Sequence, residues 1–164
     1  MTRMAPVALS AGVVALAAAG CVEPGANTLT GATIAPNACN GPGGGFAGCS
    51  LKDSATFTFY DSLPASMTIV DNGTHLPPVP GDRPPVVDGQ RFLVVTFHSA
   101  QAHDQAGNGT SQHAAYAAGM HRIAEAVLVQ DFEGYVQYVI GLNGTAKPAV
   151  VSARGAHSFY VIVS

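Results

Sequence analysis

RIAEAVLVQDFEGYVQYVIGL, residues 122–142, decides how the rest of the chain is read. Two apolar arms, 123–130 and 135–142, flank the polar turn Asp131-Phe132-Glu133-Gly134. Neither arm holds a proline, and both contain the β-branched and aromatic residues that suit a pleated strand. The stretch reads as the central β-hairpin of a small domain. Gly134 supplies the turn, and Phe132 is expected to pack inward as a cap on the core. Asp131 and Glu133 invite an acid–base reading. Two carboxylates on one exposed turn, however, have no enclosing pocket to split their pKa values. The turn therefore reads as a fold element.

Working outward, ATFTFY (55–60) alternates, with Phe57 and Phe59 on one face and Thr56 and Thr58 on the other. SMTIV (66–70) is a second short strand, closed by an Asn72-Gly73 turn. Residues 76–87 are proline-rich and read as an irregular crossing. RFLVVTFHS (91–99) is apolar on both faces, with Leu93, Val95 and Phe97 together, and is expected inside a sheet. Residues 100–119 form a long polar loop, with one helical turn expected over 112–118; loops of this length are often functional. Residues 149–153 and 158–163 complete the set, the latter with Phe159, Val161 and Val163 on one face. The expected class is mostly β: a small β-sandwich or curved antiparallel sheet of about seven strands. No Gly-rich phosphate loop and no alternation of strands with helices supports a nucleotide-binding fold.

Charged residues make up only 10% of the chain, with Lys plus Arg at 7 against 10 acidic residues. That balance excludes the clustered positive charge needed for nucleic acid or for a polybasic membrane patch.

Residues 1–20 read as an export signal. Arg3 precedes a run of apolar and small residues over 5–19, broken only by Ser10. The run is shorter than the ~20 residues that span a bilayer. Ala18-Ala19-Gly20-Cys21 resembles the lipobox of bacterial lipoproteins, although Ala18 stands where Leu, Val or Ile is usual. The resemblance implies a lipid on Cys21 and an extracytoplasmic, membrane-anchored protein. The alternative is an ordinary secretory signal cleaved near Ala19. Of three cysteines, Cys39 and Cys49 then remain as a pair. In an oxidising compartment they are expected to form a disulfide worth on the order of 2–3 kcal/mol. A zinc site on the same pair lacks both CxxC spacing and a nearby histidine. Residues 21–49, rich in Gly, Pro, Ala, Asn and Thr, read as a flexible tether before a domain at 50–164.

Catalytic signatures are few. The chain has no GxSxG elbow. His98, His103, His113 and His121 are close in sequence but match no standard ligand spacing such as HExxH. The sequons at Asn72, Asn108 and Asn143 read as turn chemistry.

Three segments together resemble one family. They are RFLVVTFHSAQAHDQAGNGT with Ala102-His103-Asp104 and Gly107, the hairpin AVLVQDFEGYVQYVIGL, and KPAVVSARGAHSFYVIVS. In order and spacing they are similar to the AMIN-like domain of actinobacterial exported proteins and lipoproteins, over about residues 50–164. The chain departs at Ala149, where an aromatic residue usually follows the proline, and at its closing Val161-Ile162-Val163-Ser164, where a Val-Asp-Val strand is common. The resemblance implies a β-sandwich related to AMIN domains, which in other bacteria target proteins to the envelope and are associated with peptidoglycan. It implies no cofactor and no catalytic residue. The expected function is a non-enzymatic envelope lipoprotein that binds cell-wall glycan or an envelope protein. His103, Asp104, Gln112, Tyr116, Tyr135 and Tyr138 are the candidate contacts. Two rival readings stay open: a metal-dependent hydrolase on His103, His113 and His121, and a module that accepts a partner's strand at an exposed sheet edge.

Overall fold

The computed structural model describes residues 27–36, 53–79, 85–111, 114–115, 122–144, 153–154 and 157–163. Among these residues nine strands follow in chain order: β1 (Leu29–Pro36), β2 (Asp53–Phe59), β3 (Ser66–Asp71), β4 (Arg91–His98), β5 (Ala114–Ala115), β6 (Ile123–Phe132), β7 (Tyr135–Leu142), β8 (Ala153–Arg154) and β9 (Ser158–Val163). They form two antiparallel sheets, ordered β1-β2-β9-β8 and β3-β4-β7-β6-β5. The described residues contain no helix. The expected mostly-β sandwich is the fold observed.

The sheets are held by the alternating positions read from the sequence. Phe57 and Phe59 of β2, Phe159, Val161 and Val163 of β9, and Leu93, Val95 and Phe97 of β4 are all buried in one core. Burying each large side chain contributes about 1.5–3 kcal/mol. Across the sandwich, the Phe57 ring meets Phe97 at 5.1 Å and Tyr138 at 5.0 Å, both edge to face. Such pairs add roughly 0.5–1.5 kcal/mol beyond their area. A buried carboxylate also joins the sheets: Asp53 accepts the backbone N–H groups of Arg122 (2.5 Å) and Ile123 (3.1 Å) at the start of β6.

Three local expectations differ from the structure. Within the stretch read as tether, residues 29–36 form β1 and pair with β2. The alternation there is masked by a bulge between Leu29 and Gly31. Leu29 faces in, an extra residue intervenes, and Ala32 and Ile34 resume the inward phase. Second, of the stretch read as a helical turn at 112–118, the described Ala114 and Ala115 are a strand paired with β6. Third, Phe132 is not a core cap but 63% exposed. β6 carries a bulge between Leu128 and Gln130, so the strand changes phase. Leu128 faces in opposite Tyr138, Gln130 faces out opposite Gln137, and Asp131 then faces in while Phe132 faces out opposite Tyr135.

The hairpin turn itself is the two-residue loop Glu133-Gly134. Both residues have positive φ, 51° and 80°, as a type I′ turn requires.

The proline-rich crossing covers part of the outer face of the five-stranded sheet. Val87 packs there with Phe92 and Val139, flanked by Leu76, Val127 and Val129. It passes over β7 at Gly141, where an added Cβ would lie 1.8 Å from the Asp88 carbonyl oxygen. The crossing is pinned beside this point: the Asp88 N–H donates to Glu125, and the Gln90 N–H donates to the Leu142 carbonyl at 2.8 Å. Gly141 is glycine because backbone occupies the space of a side chain.

Candidate functional site

The hairpin tip separates two groups of side chains. Inward at the end of the sandwich, Asp131 holds the long loop. Its Oδ1 accepts the Ala102 N–H at 3.0 Å, and its Oδ2 lies 2.6 Å from His103 Nδ1. The Asp131 side chain is largely covered, while the His103 ring is 40% exposed. Asp104 organises the same loop, accepting the N–H groups of Ala106 (2.9 Å) and Asn108 (2.8 Å) and the Asn108 side-chain amide at 3.0 Å. These bonds, led by the Asn108 side chain, hold the Asp104 carboxyl below its ordinary range. The Ala-His-Asp segment is thus a loop anchor, engaged with its own turn and with the hairpin.

Outward, the strand pairing builds two lateral rows across β4, β7 and β6. The first is His98, Tyr135 and Phe132, joined by the pairs His98↔Tyr135 and Tyr135↔Phe132. Tyr135 is 46% exposed, and the His98 ring meets it edge to face at 5.1 Å. The second row is Thr96, Gln137 and Gln130, and Gln137 Nε2 donates to Thr96 Oγ1 at 3.1 Å. Neither row contains Asp, Glu, Lys or Arg. Aromatic faces therefore lie beside neutral amides and hydroxyls on an exposed surface, a pairing suited to ligands with one apolar and one hydrogen-bonding side.

The candidate contacts read from the sequence divide as follows. Tyr135 lies on the open face. Tyr138 faces the opposite way, is fully buried, and bonds Ser111 Oγ through its hydroxyl at 2.6 Å; period-two alternation from Val136 inward puts it in the core. Burial pushes its phenol up to about 12, with the Ser111 hydrogen bond opposing and the Asp131 charge adding to the rise. His103 and Asp104 belong to the loop anchor. Gln112 and Tyr116, like Cys21, Cys39 and Cys49, lie outside the described residues. Of the histidines, His98 sits on the outer sheet face and His103 at the end of the sandwich, while His113 and His121 are outside the described residues. Among the described residues no group of three or more His, Cys, Asp or Glu side chains is placed to hold a metal. Gln137 follows from alternation along β7 and His98 from the β4–β7 register, whereas Gln130 and Phe132 join Tyr135 only once the β6 bulge is known. The sequence signal was the alternation Tyr135-x-Gln137, whose partner phase on β6 the bulge conceals.

Residues 69–163 match the AMIN-like domain family, and the chain belongs to it. The folded unit extends upstream of that match through β2 to β1. AMIN-like domains are typically found in extracytoplasmic envelope proteins and are generally non-catalytic binding modules. Comparison with curated proteins and with solved structures gave no match.

Proposed function

We propose that this chain is a non-enzymatic envelope lipoprotein whose AMIN-like domain binds neutral cell-wall glycan on the open outer face of the five-stranded sheet. The observation that carries the reading is the pair of rows without Asp, Glu, Lys or Arg, Phe132–Tyr135–His98 beside Gln130–Gln137–Thr96. Sugar rings offer apolar C–H faces to aromatic rings and hydroxyl or acetamido edges to amides and hydroxyls, so both rows are used at once. Family membership supports an envelope setting, and the lipobox-like Ala18-Ala19-Gly20-Cys21 supports an anchor. The lipid on Cys21 holds the protein at the membrane.

Retention of the full chain on purified peptidoglycan tests the binding. Bound protein is expected to persist as salt is raised, because the rows carry no Asp, Glu, Lys or Arg. Replacing Phe132 and Tyr135 together by alanine is expected to abolish retention. Absence of retention by the parent chain at any salt overturns the reading and leaves an envelope protein as the ligand to seek. Cys21→Ser followed by membrane fractionation tests the anchor separately; the variant is expected in the soluble fraction.

A further inference from the structure

Among the described residues the sandwich has four sheet edges, and three are blunted. β5 and β8 are two residues long, and β1 carries a bulge and ends at Pro36. β3 differs: it has six residues, pairs with β4 without a register shift, and holds neither a charge nor a proline over 66–70. Short length, bulges, charge and proline are the usual guards against edge-to-edge pairing, and β3 has none of them over that span. Its hydrogen-bond phase is set by the Asn72 N–H donating to the Phe92 carbonyl at 2.9 Å, in register with the β3–β4 ladder. Pairing alternates along such a ladder. Ser66, Thr68 and Val70 therefore turn their backbone groups to β4, and Met67 and Ile69 turn theirs to the open edge. The side chains of Met67 and Ile69 are half-buried at the margin of the core.

We propose that this edge pairs with the same edge of a second copy of the chain, antiparallel and centred on Thr68. The strand is self-complementary in that register. Met67 exchanges backbone hydrogen bonds with Ile69 of the second copy, and both side chains stay on the core side. Ser66 faces Val70 and Thr68 faces Thr68 on the outer side. A slip of one residue sets inward side chains against outward ones. Centring on Ile69 sets the Asp71 carboxylate against Met67, whereas centring on Thr68 leaves Asp71 outside the paired segment, on its Arg91 partner. No like charges meet. The two-fold axis stands normal to the sheet, so the five-stranded sheets join into one and their open faces point the same way. This pairing does not depend on glycan binding.

Full-length chain bearing Thr68→Cys, in membranes and treated with a short thiol-to-thiol crosslinker, tests the register, with the parent run alongside because it has three cysteines of its own. A covalent homodimer well above the parent level is expected. Ser66→Cys, on the same face but away from the axis, is expected to give much less. Thr68→Lys puts like charges opposite each other on the axis. It is expected to weaken the purified dimer at least about tenfold in sedimentation equilibrium while the far-UV circular dichroism is unchanged. A parent chain that sediments as a monomer at micromolar concentration overturns the proposal. So does equal crosslinking at positions 66 and 68, or capture by Thr68→Cys of a different protein in place of a second copy.

Discussion

β7 runs beneath both halves of the outer face of the five-stranded sheet, and the two halves are built differently. At its end, Val139 and Gly141 lie under the proline-rich crossing, with Val127, Phe92 and Val87 closing over them. At its start, Tyr135 is exposed and Gln137 half-buried, beside Phe132, His98, Gln130 and Thr96. The covered half is apolar and leaves a glycine where backbone must pass. The open half consists of residues that tolerate water and also offer ring faces and hydrogen bonds. The described part of the crossing covers apolar side chains that water penalises. An open face of that composition is available for a ligand at little cost to stability.

The sharpest way to break the contrast is at the covered half. Gly141→Ala forces the Asp88 backbone away from β7, and equilibrium denaturation is expected to register a loss of about 3 kcal/mol. Tyr138→Phe probes the inward side of the same strand. It leaves the Ser111 hydroxyl without its partner and is expected to cost about 1–2 kcal/mol.

The same tyrosine makes a pH prediction. A phenol at about 12 in the folded protein and about 10 in the unfolded chain keeps its proton longer when folded. Its contribution is complete below pH 10 and is lost as pH rises through about 12. Alkaline unfolding of the parent is expected to steepen in that window, and Tyr138→Phe to remove that part of the slope.

Smaller effects are expected at the open half. Phe132→Ala and Tyr135→Ala, taken singly, are expected to change folding stability by no more than about 0.5 kcal/mol, since both side chains are exposed and outside the core. Each is expected to weaken retention on peptidoglycan about tenfold, which a titrated pull-down measures. A large stability loss from either would place these rings in the fold rather than in a binding face. Smallest is the turn. Glu133 bears a positive φ that asparagine adopts more readily, so Glu133→Asn is expected to raise the melting temperature by the equivalent of about 0.5 kcal/mol.

Period-two alternation carried the sequence reading, and it succeeded wherever strands are regular. Phe57 and Phe59, Leu93, Val95 and Phe97, and Phe159, Val161 and Val163 all occupy the core positions expected of them. It failed at bulges. In β1 an inserted residue between Leu29 and Gly31 hid a strand inside an apparent tether. In β6 another between Leu128 and Gln130 reversed Asp131 and Phe132. The candidate face suffered the same way, because its β6 members follow the second bulge. Gly141 could be read only as the Gly of an Ile-Gly-Leu ending, since its constraint comes from Asp88, distant in sequence.

The sequence by itself determined the class: apolar alternation at period two, turn residues between the arms and proline in the crossing leave a small β-sandwich or a curved antiparallel sheet as the ways to bury this chain. It also carried the order of pieces by which the AMIN-like family is recognised. Tertiary structure alone decided which side of the sheet each hairpin residue faces and which half of that side is covered. A bulge shifts the phase by one residue without a distinct local signal, and cover depends on segments far apart in the chain meeting in space.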